Sequence, residues 1–268
     1  MKTAVAAVVL TVALASAIVA PAAAQEHIEH ARTEHRQASS SLERDIQSVA
    51  VRGADAWIGY RLSAVPTGRN WCAAPVQLEP AKEMIVLVRV HDNTVDRLRT
   101  FAPSCSIDAG EMPMVWLDGV TPDLSANWLS TVATAAAATN DRSPSLLQPA
   151  LSALETTPGL VALRSLVAFA KDEAHPNVRN RAINSLAFRA ETEAAATIQN
   201  VIDTDPDTAV KKTAVGALAR MPKDEGVPLL IQVARTNKNA EVRKQAMFWL
   251  GESKDPRAVS FFEEILRR

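Results

Sequence analysis

Histidine and glutamate alternate in the first polar stretch of the chain, which makes it the first place to look for a metal site. Its members are Glu26, His27, Glu29, His30, Glu34 and His35. Imidazole and carboxylate groups are ordinary ligands of transition metals, and H-x-x-H spacing puts two imidazoles on one helix face. The stretch has almost nothing to bury that could fix a coordination geometry, so we expect a solvated segment, no metal and no cofactor.

Catalytic motifs are missing from the sequence. It has no GxSxG elbow, no HExxH pair and no phosphate-binding glycine loop, and only nine glycines occur in all. The remaining histidines, His91 and His175, have no partner that spacing identifies. We therefore predict no catalytic residue, although an active site assembled from scattered residues stays open.

The N-terminus has the pattern of a secretory signal peptide at residues 1–24. Lys2 is followed by an uncharged run from Ala4 to Ala20, and the small residues up to Ala24 make an A-x-A cleavage site. An uncleaved membrane anchor is the alternative, because the run is about long enough to span a bilayer. The pattern favours a periplasmic or secreted protein. A net charge of −1 gives no reason to expect nucleic acid as a partner.

Two cysteines, Cys72 and Cys105, occur in this chain, which we predict to enter an oxidising compartment. An even number there favours a disulfide, whereas a redox-active or metal-binding pair usually has close spacing such as CxxC. Closing a segment of about 33 residues would stabilise the fold by roughly 3 to 4 kcal/mol on the loop-entropy model.

Residues 54–120 are predicted to form a small β-rich domain of four or five strands. Runs of aromatic and β-branched residues lie at 56–65, 84–90, 95–101 and 114–117. Turn residues such as Asp92-Asn93 separate them. Arg97 and Arg99 stand two apart, which places both on one face of a strand.

Helical segments are predicted on both sides of this domain. Residues 25–53 should comprise a polar arm to about residue 41, either mobile or a lone solvated helix, and a short helix over 42–51. Ser40 and Glu43 stand at capping-box spacing for that short helix. A connecting helix is predicted within 121–142.

The strongest signal in the chain is a repeat with a period of 32 residues. The apolar first-helix positions of one copy are Val178, Ala182, Ile183 and Leu186. Residues one and two periods later are of the same kind, and within a copy they fall on one helix face. One second-helix column stays small, at Ala194, Gly226 and Ala258. With a further copy one period earlier, the pattern predicts an α-solenoid of four helical hairpins over residues 143–268.

The first copy departs from the other three. Leu147 stands where the later copies carry Arg179, Lys211 and Arg243. Pro149 falls where a helix interior is expected, and proline suits only the first turn of a helix. The first helix must therefore begin late or kink, as in a terminal capping repeat.

The signature V-[RK]-x-x-A-[IVM]-x-x-L, with polar residues at 205–207 and 237–239 just before it, resembles the short HEAT repeats of phycobilin-lyase-like and related proteins. The resemblance covers about residues 146–268 and implies paired helices stacked as a solenoid. It implies no single function, because such proteins range from scaffolds to a few lyases and no lyase-specific residue can be matched. We assign no family to the first 145 residues.

The resemblance also bears on the basic column Arg179, Lys211 and Arg243. A row of cations could bind anions, but in HEAT-type repeats such a residue resembles part of a structural ladder. The ladder pairs with polar groups near the start of the neighbouring first helix, and we favour that role. Asp224 and Asp255 are likewise interpreted as helix N-caps rather than catalytic carboxylates.

The outward columns of the second helices vary from copy to copy, unlike the core columns. We predict a partner-binding surface formed by Gln199, Asn200, Gln232, Arg235, Glu263 and Glu264. A surface fitted to one irregular partner would vary in this way, although unselected solvent exposure predicts the same variation.

Three functions are consistent with these features. A non-enzymatic exported scaffold would hold a protein or peptide on the solenoid. An enzyme of the cell envelope would have a polar pocket in the β-rich domain or at its junction with the first repeat. In the third case the β-rich domain alone would bind a ligand, with the repeats as a spacer. The missing catalytic motifs and the repeats favour the first.

Overall fold

A computed structural model of the 268-residue chain describes residues 28–50, 55–65, 82–138, 146–171, 174–189 and 192–267. The predicted signal peptide, the predicted break after the connecting helix, Glu26, His27 and Cys72 lie outside these residues.

A mixed five-stranded sheet forms the N-terminal region. Its strands are β2 Arg32–Gln37, β3 Ala56–Ser63, β4 Glu83–His91, β5 Thr94–Phe101 and β7 Pro113–Asp118. The spatial order is β2-β7-β3-β4-β5. Strands β2 and β3 both run parallel to β7, whereas β4 is antiparallel to β3 and to β5. Two short strands, β1 Ile28–Glu29 and β6 Ile107–Asp108, pair with each other in parallel. All four strand runs predicted from the sequence are present.

The predicted polar arm is wrong for residues 32–37, which form the edge strand of the sheet. Their side chains are mostly exposed, but the strand pairs with β7 from Arg32 opposite Pro113 to Gln37 opposite Asp118. An edge strand needs pairing on one side only, so its side chains can stay polar. The strand was not predicted because backbone pairing of this kind leaves no apolar pattern in the sequence.

The short helix α1 Leu42–Ala50 follows the edge strand. Its first turn is capped by Ser41, whose Oγ accepts a 3.4 Å hydrogen bond from the backbone N–H of Arg44. The prediction of Ser40 as the cap is therefore wrong by one residue. The error has a physical basis, since three consecutive serines offer the same chemistry at this helix start.

The two faces of the sheet bury different partners, as the alternation of side chains along a strand requires. Ile58, Tyr60 and Val88 face the helices, including α1 and the connecting helix α2 Pro122–Ala138. The Tyr60 hydroxyl lies 3.1 Å from Ser125 Oγ, and both residues are fully buried. Burial raises the pKa of Tyr60 far above its usual range, so this phenol stays neutral and serves as a hydrogen-bonding tether.

The opposite face of the sheet carries a second apolar cluster. It contains Leu87, Met114, Trp116 and the buried Cys105. The pairing of Cys105 with Cys72 stays a prediction, because Cys72 lies outside the described residues. Gly59 belongs to the same face, and a Cβ there would meet the Trp116 ring at 2.6 Å. The indole therefore packs directly on the backbone of β3.

Eight helices follow α2 in the described part of the chain, paired as four hairpins. They are α3 Leu147–Thr156 with α4 Leu160–Ala170, α5 Pro176–Leu186 with α6 Thr192–Thr204, α7 Thr208–Leu218 with α8 Lys223–Thr236, and α9 Ala240–Ser253 with α10 Pro256–Leu266. Helix α3 begins three residues later than the register of α5 would place it, with Pro149 in its first turn. The late start predicted for the first copy is confirmed.

Side-chain caps start three of these helices. Asp207 and Asn239 accept hydrogen bonds from backbone N–H groups in the first turns of α7 and α9, and Asp255 does so for α10. Hydrogen bonds from the Arg257 side chain and backbone lower the pKa of Asp255 to about 2. The N-cap role predicted for Asp224 is wrong, because α8 begins one residue before it, at Lys223. Asp224 lies in the first turn, where its charge suits the helix dipole.

The sheet and the repeats share one apolar cluster, which runs from α1 through the helix-facing side of the sheet to α10. At their junction the Val65 N–H donates a 2.7 Å hydrogen bond to the Thr156 carbonyl. Helix α2 packs on both α3 and α4, so this side of the first hairpin is covered by α2. Among the helices of the described residues, none combines the length and hydropathy that a membrane crossing requires.

Candidate functional site

The basic column is engaged in contacts within the protein. Arg179 and Asp205 form a buried ion pair, with Nε 2.8 Å from Oδ2 and side chains 3% and 5% exposed. Lys211 Nζ donates to the Asp203 carbonyl at 2.9 Å, and Arg243 Nη1 donates to the Asn237 carbonyl at 2.8 Å. Their partners lie just before the first helices α7 and α9. Only Arg179 follows the predicted ladder, because Asp205 precedes the neighbouring first helix. The prediction is wrong for Lys211 and Arg243, which bind the segments that precede their own helices.

The second helices α6, α8 and α10 are joined by polar contacts between their side chains. Gln199 Nε2 lies 3.4 Å from Gln232 Oε1, which links α6 to α8. Arg235 Nη2 donates to Glu264 Oε2, which links α8 to α10. Four of the six residues predicted to bind a partner therefore form two contacting pairs. We call the surface formed by all six predicted residues, Asn200 and Glu263 included, the second-helix surface.

Arg235 is held in place from two sides on this surface. Its guanidinium lies 5.4 Å from the centroid of the Phe261 ring, in addition to the ion pair with Glu264. Phe261 is buried, whereas the side chains of Arg235 and Glu264 are 45% and 40% exposed. A guanidinium stacked on a ring keeps its orientation and can still contact a ligand at its free edge.

The electrostatics of the second-helix surface are balanced. Glu263 lies 3.6 Å from Arg267 at the end of α10, and Glu264 pairs with Arg235. Both acidic residues of the surface therefore contact an arginine. Gln199, Asn200 and Gln232 add amide groups, each of which can donate and accept hydrogen bonds. The surface can therefore form hydrogen bonds with a polar protein segment, whereas a strongly charged polymer would meet no excess of charge.

A cavity of about 380 Å³ lies between the third and fourth hairpins. Its apolar walls include Leu218, Leu230 and Trp249, and its polar ones Lys223 and Lys254. The cavity volume is at the lower end of the range of small-molecule sites and is about the volume of a few peptide side chains. The cavity is not visible in the sequence, because it depends on how two hairpins pack together.

A polar cluster lies at one end of the sheet. His91 Nδ1 is 2.6 Å from Asp55 Oδ2, and His91 Nε2 is 3.5 Å from Asp92 Oδ2. The hydrogen bond with Asp55 raises the pKa of His91 above its usual range. Ligand atoms of these three exposed residues lie within 4.8 Å of one another, a spacing that a metal ion could use. Each ring nitrogen already faces a carboxylate, which favours a surface ion pair instead.

Pairing of β3 with β4 is what brings Asp55 to His91, because Ala56 lies opposite Val90. Asp92 and Asn93 form the predicted turn, with φ of 48° and 59° as hairpin turns of this kind require. Spacing identified no partner for His91, because Asp55 lies 36 positions away in the sequence.

The N-terminal histidines of the described residues face carboxylates of other strands. His30 Nδ1 lies 3.2 Å from Asp108 Oδ1, and His35 Nδ1 lies 3.1 Å from Asp118 Oδ2. They belong to a strand region, so the geometry that H-x-x-H spacing has on a helix does not apply here. The expectation of no metal in this stretch stays a prediction.

A buried arginine that follows α5 ties the second hairpin to the end of α3 in the first hairpin. Arg189 is 1% exposed and donates to the carbonyls of Thr157 at 2.6 Å and Glu155 at 3.2 Å. These carbonyls end α3, where helical backbone acceptors lack partners. Arg189 has no basic equivalent one period later, at Met221, so the repeat pattern could not predict its role.

Comparison with known proteins places the last part of the chain. Residues 195–268 match the family model described as HEAT repeats. No curated protein matches the chain in sequence. The match covers most of α6 and all of α7, α8, α9 and α10, so it includes the three helices α6, α8 and α10 that carry the second-helix surface. The C-terminal part of this chain is a HEAT-repeat segment.

Proposed function

We propose that this chain is an exported, non-enzymatic interaction protein that holds a protein or peptide segment on its second-helix surface. HEAT repeats suggest an interaction or scaffold role in general. The observation that carries the assignment to this surface is the line of cross-hairpin contacts, Gln199 to Gln232 and Arg235 to Glu264, which links three successive second helices.

The physical advantage of such a line is preorganisation. Side chains that are already oriented lose less conformational entropy when a partner binds, typically about 0.5 to 1.5 kcal/mol per immobilised side chain. Arg235 is fixed by Phe261 and Glu264 and still has a half-exposed side chain. Asn200 and Gln232 are exposed and can supply hydrogen bonds to a polypeptide backbone.

The test uses the ion pair itself to separate binding from folding. Arg235→Glu or Glu264→Arg alone puts like charges together, whereas the double variant with both changes restores an ion pair with its polarity reversed. We expect the double variant to stay folded and to lose its partner. Its melting temperature should fall only slightly, because the stacking of Arg235 on Phe261 is lost. Photo-crosslinking from position 232 in an envelope extract, followed by mass spectrometry, would identify that partner.

Lys244→Glu is the matched control, because Lys244 is exposed on the first helix α9 and outside the second-helix surface. It should leave the crosslinked partner unchanged. The proposal fails if the double variant at 235 and 264 captures the same partner as efficiently as the parent protein.

Export is supported by the sequence pattern of residues 1–24. We expect the mature protein to begin at Gln25, which N-terminal sequencing of the exported protein would establish. Retention of Met1 in the protein recovered outside the cytoplasm would contradict cleavage and favour an anchor.

A further inference from the structure

The cavity between the third and fourth hairpins lies where one column of the repeat changes size. Arg189, Met221 and Ser253 stand one period apart, each at or just after the end of a first helix. Arg189 and Met221 are buried, whereas Ser253 lines the cavity. The column therefore has a short side chain here, where the earlier copies have long, unbranched ones.

The contacts of Arg189 show that the cavity is an unfilled version of its site. Arg189 approaches three backbone carbonyls at the turn between α3 and α4, those of Glu155, Thr157 and Gly159. The residues two periods later all line the cavity: Ala219, Met221 and Lys223. An arginine side chain thus occupies the first interface between hairpins at the place where the third interface has open space.

Ser253 does not reach across this space. Its Oγ donates a 2.7 Å hydrogen bond to the Leu250 carbonyl and accepts one of 3.3 Å from the Asp255 N–H. Both groups belong to its own turn. The two hairpins lie within the described residues and α8 packs on α9, so neighbouring helices of the same chain form the walls of the cavity.

The walls and the volume suit a linear aliphatic chain. Leu218 and Leu230 are buried in the third hairpin, and Trp249 lies opposite them on α9. The volume is about 380 Å³. At about 30 Å³ for a group the size of a water molecule, it holds about twelve such groups, the size of a ten-carbon chain with a carboxylate.

The exposed residues that line the cavity are mainly cationic. They are Lys223 and Lys254, with Glu252 as the one carboxylate in the lining. Within the part of the chain that the structure describes, neither lysine has a carboxylate partner within 4 Å. Two periods earlier the sequence has Gly159 and Ala190 at these positions. The third interface therefore has its cations at the rim of the site, where they attract an anionic head group.

We infer that this cavity binds an aliphatic carboxylate of about ten carbons. Its chain lies between Leu218, Leu230 and Trp249, and its head group lies at Lys223 and Lys254. The cavity shares no lining residue with the second-helix surface, so this second site does not rest on the proposed function.

Calorimetric titration of the full mature chain with decanoate tests the inference. Decyltrimethylammonium has the same chain with a cationic head group, and acetate has the carboxylate without the chain. Decanoate should bind with a dissociation constant on the order of 100 µM, and the other two should bind at least about tenfold more weakly.

Ser253→Met should fill the cavity with the residue that the same column holds one repeat earlier. Methionine adapts to irregular gaps, so the variant should lose decanoate binding with little change in melting temperature. Ser260→Met is the matched control. Ser260 is exposed on α10 outside the cavity, and its Oγ also donates to a backbone carbonyl, that of Pro256. This control should bind decanoate like the parent protein.

Lys223→Glu/Lys254→Asn tests the head group. Glutamate suits the first turn of α8, and asparagine tolerates the left-handed backbone of residue 254, whose φ is 52°. The double variant should keep the parental melting temperature and bind decanoate about tenfold more weakly.

A parent protein that fails to bind decanoate would overturn the inference, as would parental affinity in Ser253→Met. Equally tight binding of decyltrimethylammonium would overturn it too, because the charge of the head group would then have no effect. If Ser253→Met does not fold, Ala219→Leu narrows the cavity from the third hairpin and must give the same loss of binding.

Discussion

The sheet region and the repeat region are held together by contacts of different range along the chain. In the sheet, Arg32 lies opposite Pro113 and Ile28 opposite Ile107, so strands far apart in sequence are neighbours. In the repeats, each hairpin packs on the next one along the chain. This difference predicts how far the effect of a substitution should spread. In the sheet region it should extend across the whole sheet, whereas in the repeats it should stay at one interface between hairpins.

The two regions also differ in how deeply their arginine–aspartate pairs are buried. The repeats bury Arg179 with Asp205, whereas the sheet has the half-buried pair Arg89 and Asp96 near its surface. Both are arginine–aspartate pairs with two contacts between the side chains. They therefore allow the same substitution to be compared in two environments.

Arg179→Leu should have the largest effect of the changes considered. It leaves the Asp205 carboxylate buried without its cation, which typically destabilises a protein by about 3 to 5 kcal/mol. Urea denaturation would measure the loss. Replacing both residues, Arg179→Leu with Asp205→Leu, should recover most of it, because no buried charge then remains. Asp205 also accepts from the Asp207 N–H, so recovery will be incomplete.

Arg89→Leu is the counterpart in the sheet. Side chains of Arg89 and Asp96 are 26% and 30% exposed, and a pair that water can reach contributes at most about 1 kcal/mol. Equal losses for Arg89→Leu and Arg179→Leu would show that the two regions do not differ in how they screen charge.

Glycine-to-alanine changes compare close packing in the two regions. A Cβ at Gly226 would fall well inside contact distance of the Leu218 carbonyl oxygen, and one at Gly59 would meet the Trp116 ring at 2.6 Å. We expect Gly226→Ala to destabilise by about 1 to 3 kcal/mol, and Gly59→Ala by less. The reason is that an indole can shift, whereas the backbone of a helix end cannot.

Thermal unfolding followed by circular dichroism would rank these two variants. Gly251→Ala is the control, because a Cβ there meets nothing within 4 Å. A larger loss for Gly59→Ala than for Gly226→Ala would reverse the expected order and assign the tighter packing to the sheet.

Removal of a helix cap should have a smaller effect, confined to one hairpin. Asn239 Oδ1 accepts from the N–H groups of Glu241 and Val242, and Asn239→Ala should destabilise by about 1 kcal/mol. Asn239→Asp keeps an acceptor and should be close to neutral. Hydrogen exchange would check the location: protection should fall in α9 and stay unchanged in the sheet strands. Loss of protection in β3 would contradict independent behaviour of the two regions.

The smallest expected effect concerns the surface of the sheet. Asp55→Asn removes the main cause of the raised pKa of His91, so that pKa should fall toward its ordinary value of about 6.5. Any stabilisation from this pair is present at low pH and is lost as the pH rises through the raised pKa. NMR titration of the imidazole would measure the change. An unaltered pKa in Asp55→Asn would mean that Asp92 and Asp96 set it instead.

The sequence predicted the repeats well because every hairpin repeats the same columns. One core column, for example, is visible four times, at Ala150, Ala182, Ala214 and Ala246. Buried strands such as β4 were visible through their apolar runs. The edge strand β2 was not, since its pairing uses backbone groups that every residue has. Contacts between distant residues, such as Asp55 with His91, depend on strand register, which one sequence does not reveal.

The features of the candidate site also divide into those that the sequence predicted and those that only the structure reveals. The six residues of the second-helix surface were predicted from columns that do not repeat, and four of them form two contacting pairs. The cavity beside Trp249 could be found only in the structure. The same holds for the exposure of Val259, which is 55% exposed although the equivalent Val227 is 3% exposed. The sequence alone does not separate these cases, because an apolar residue looks the same whether its column is buried or exposed.

The parallel pairing of β2 with β7 has a consequence for the timing of folding. Residues 32–37 leave the ribosome first, but their partners at 113–118 follow about 80 residues later. At synthesis rates of about 5 to 20 residues per second, the first strand waits roughly 4 to 16 seconds for its neighbour. Its many charged and polar side chains keep it soluble during that interval, and the sheet closes only when the last strand arrives.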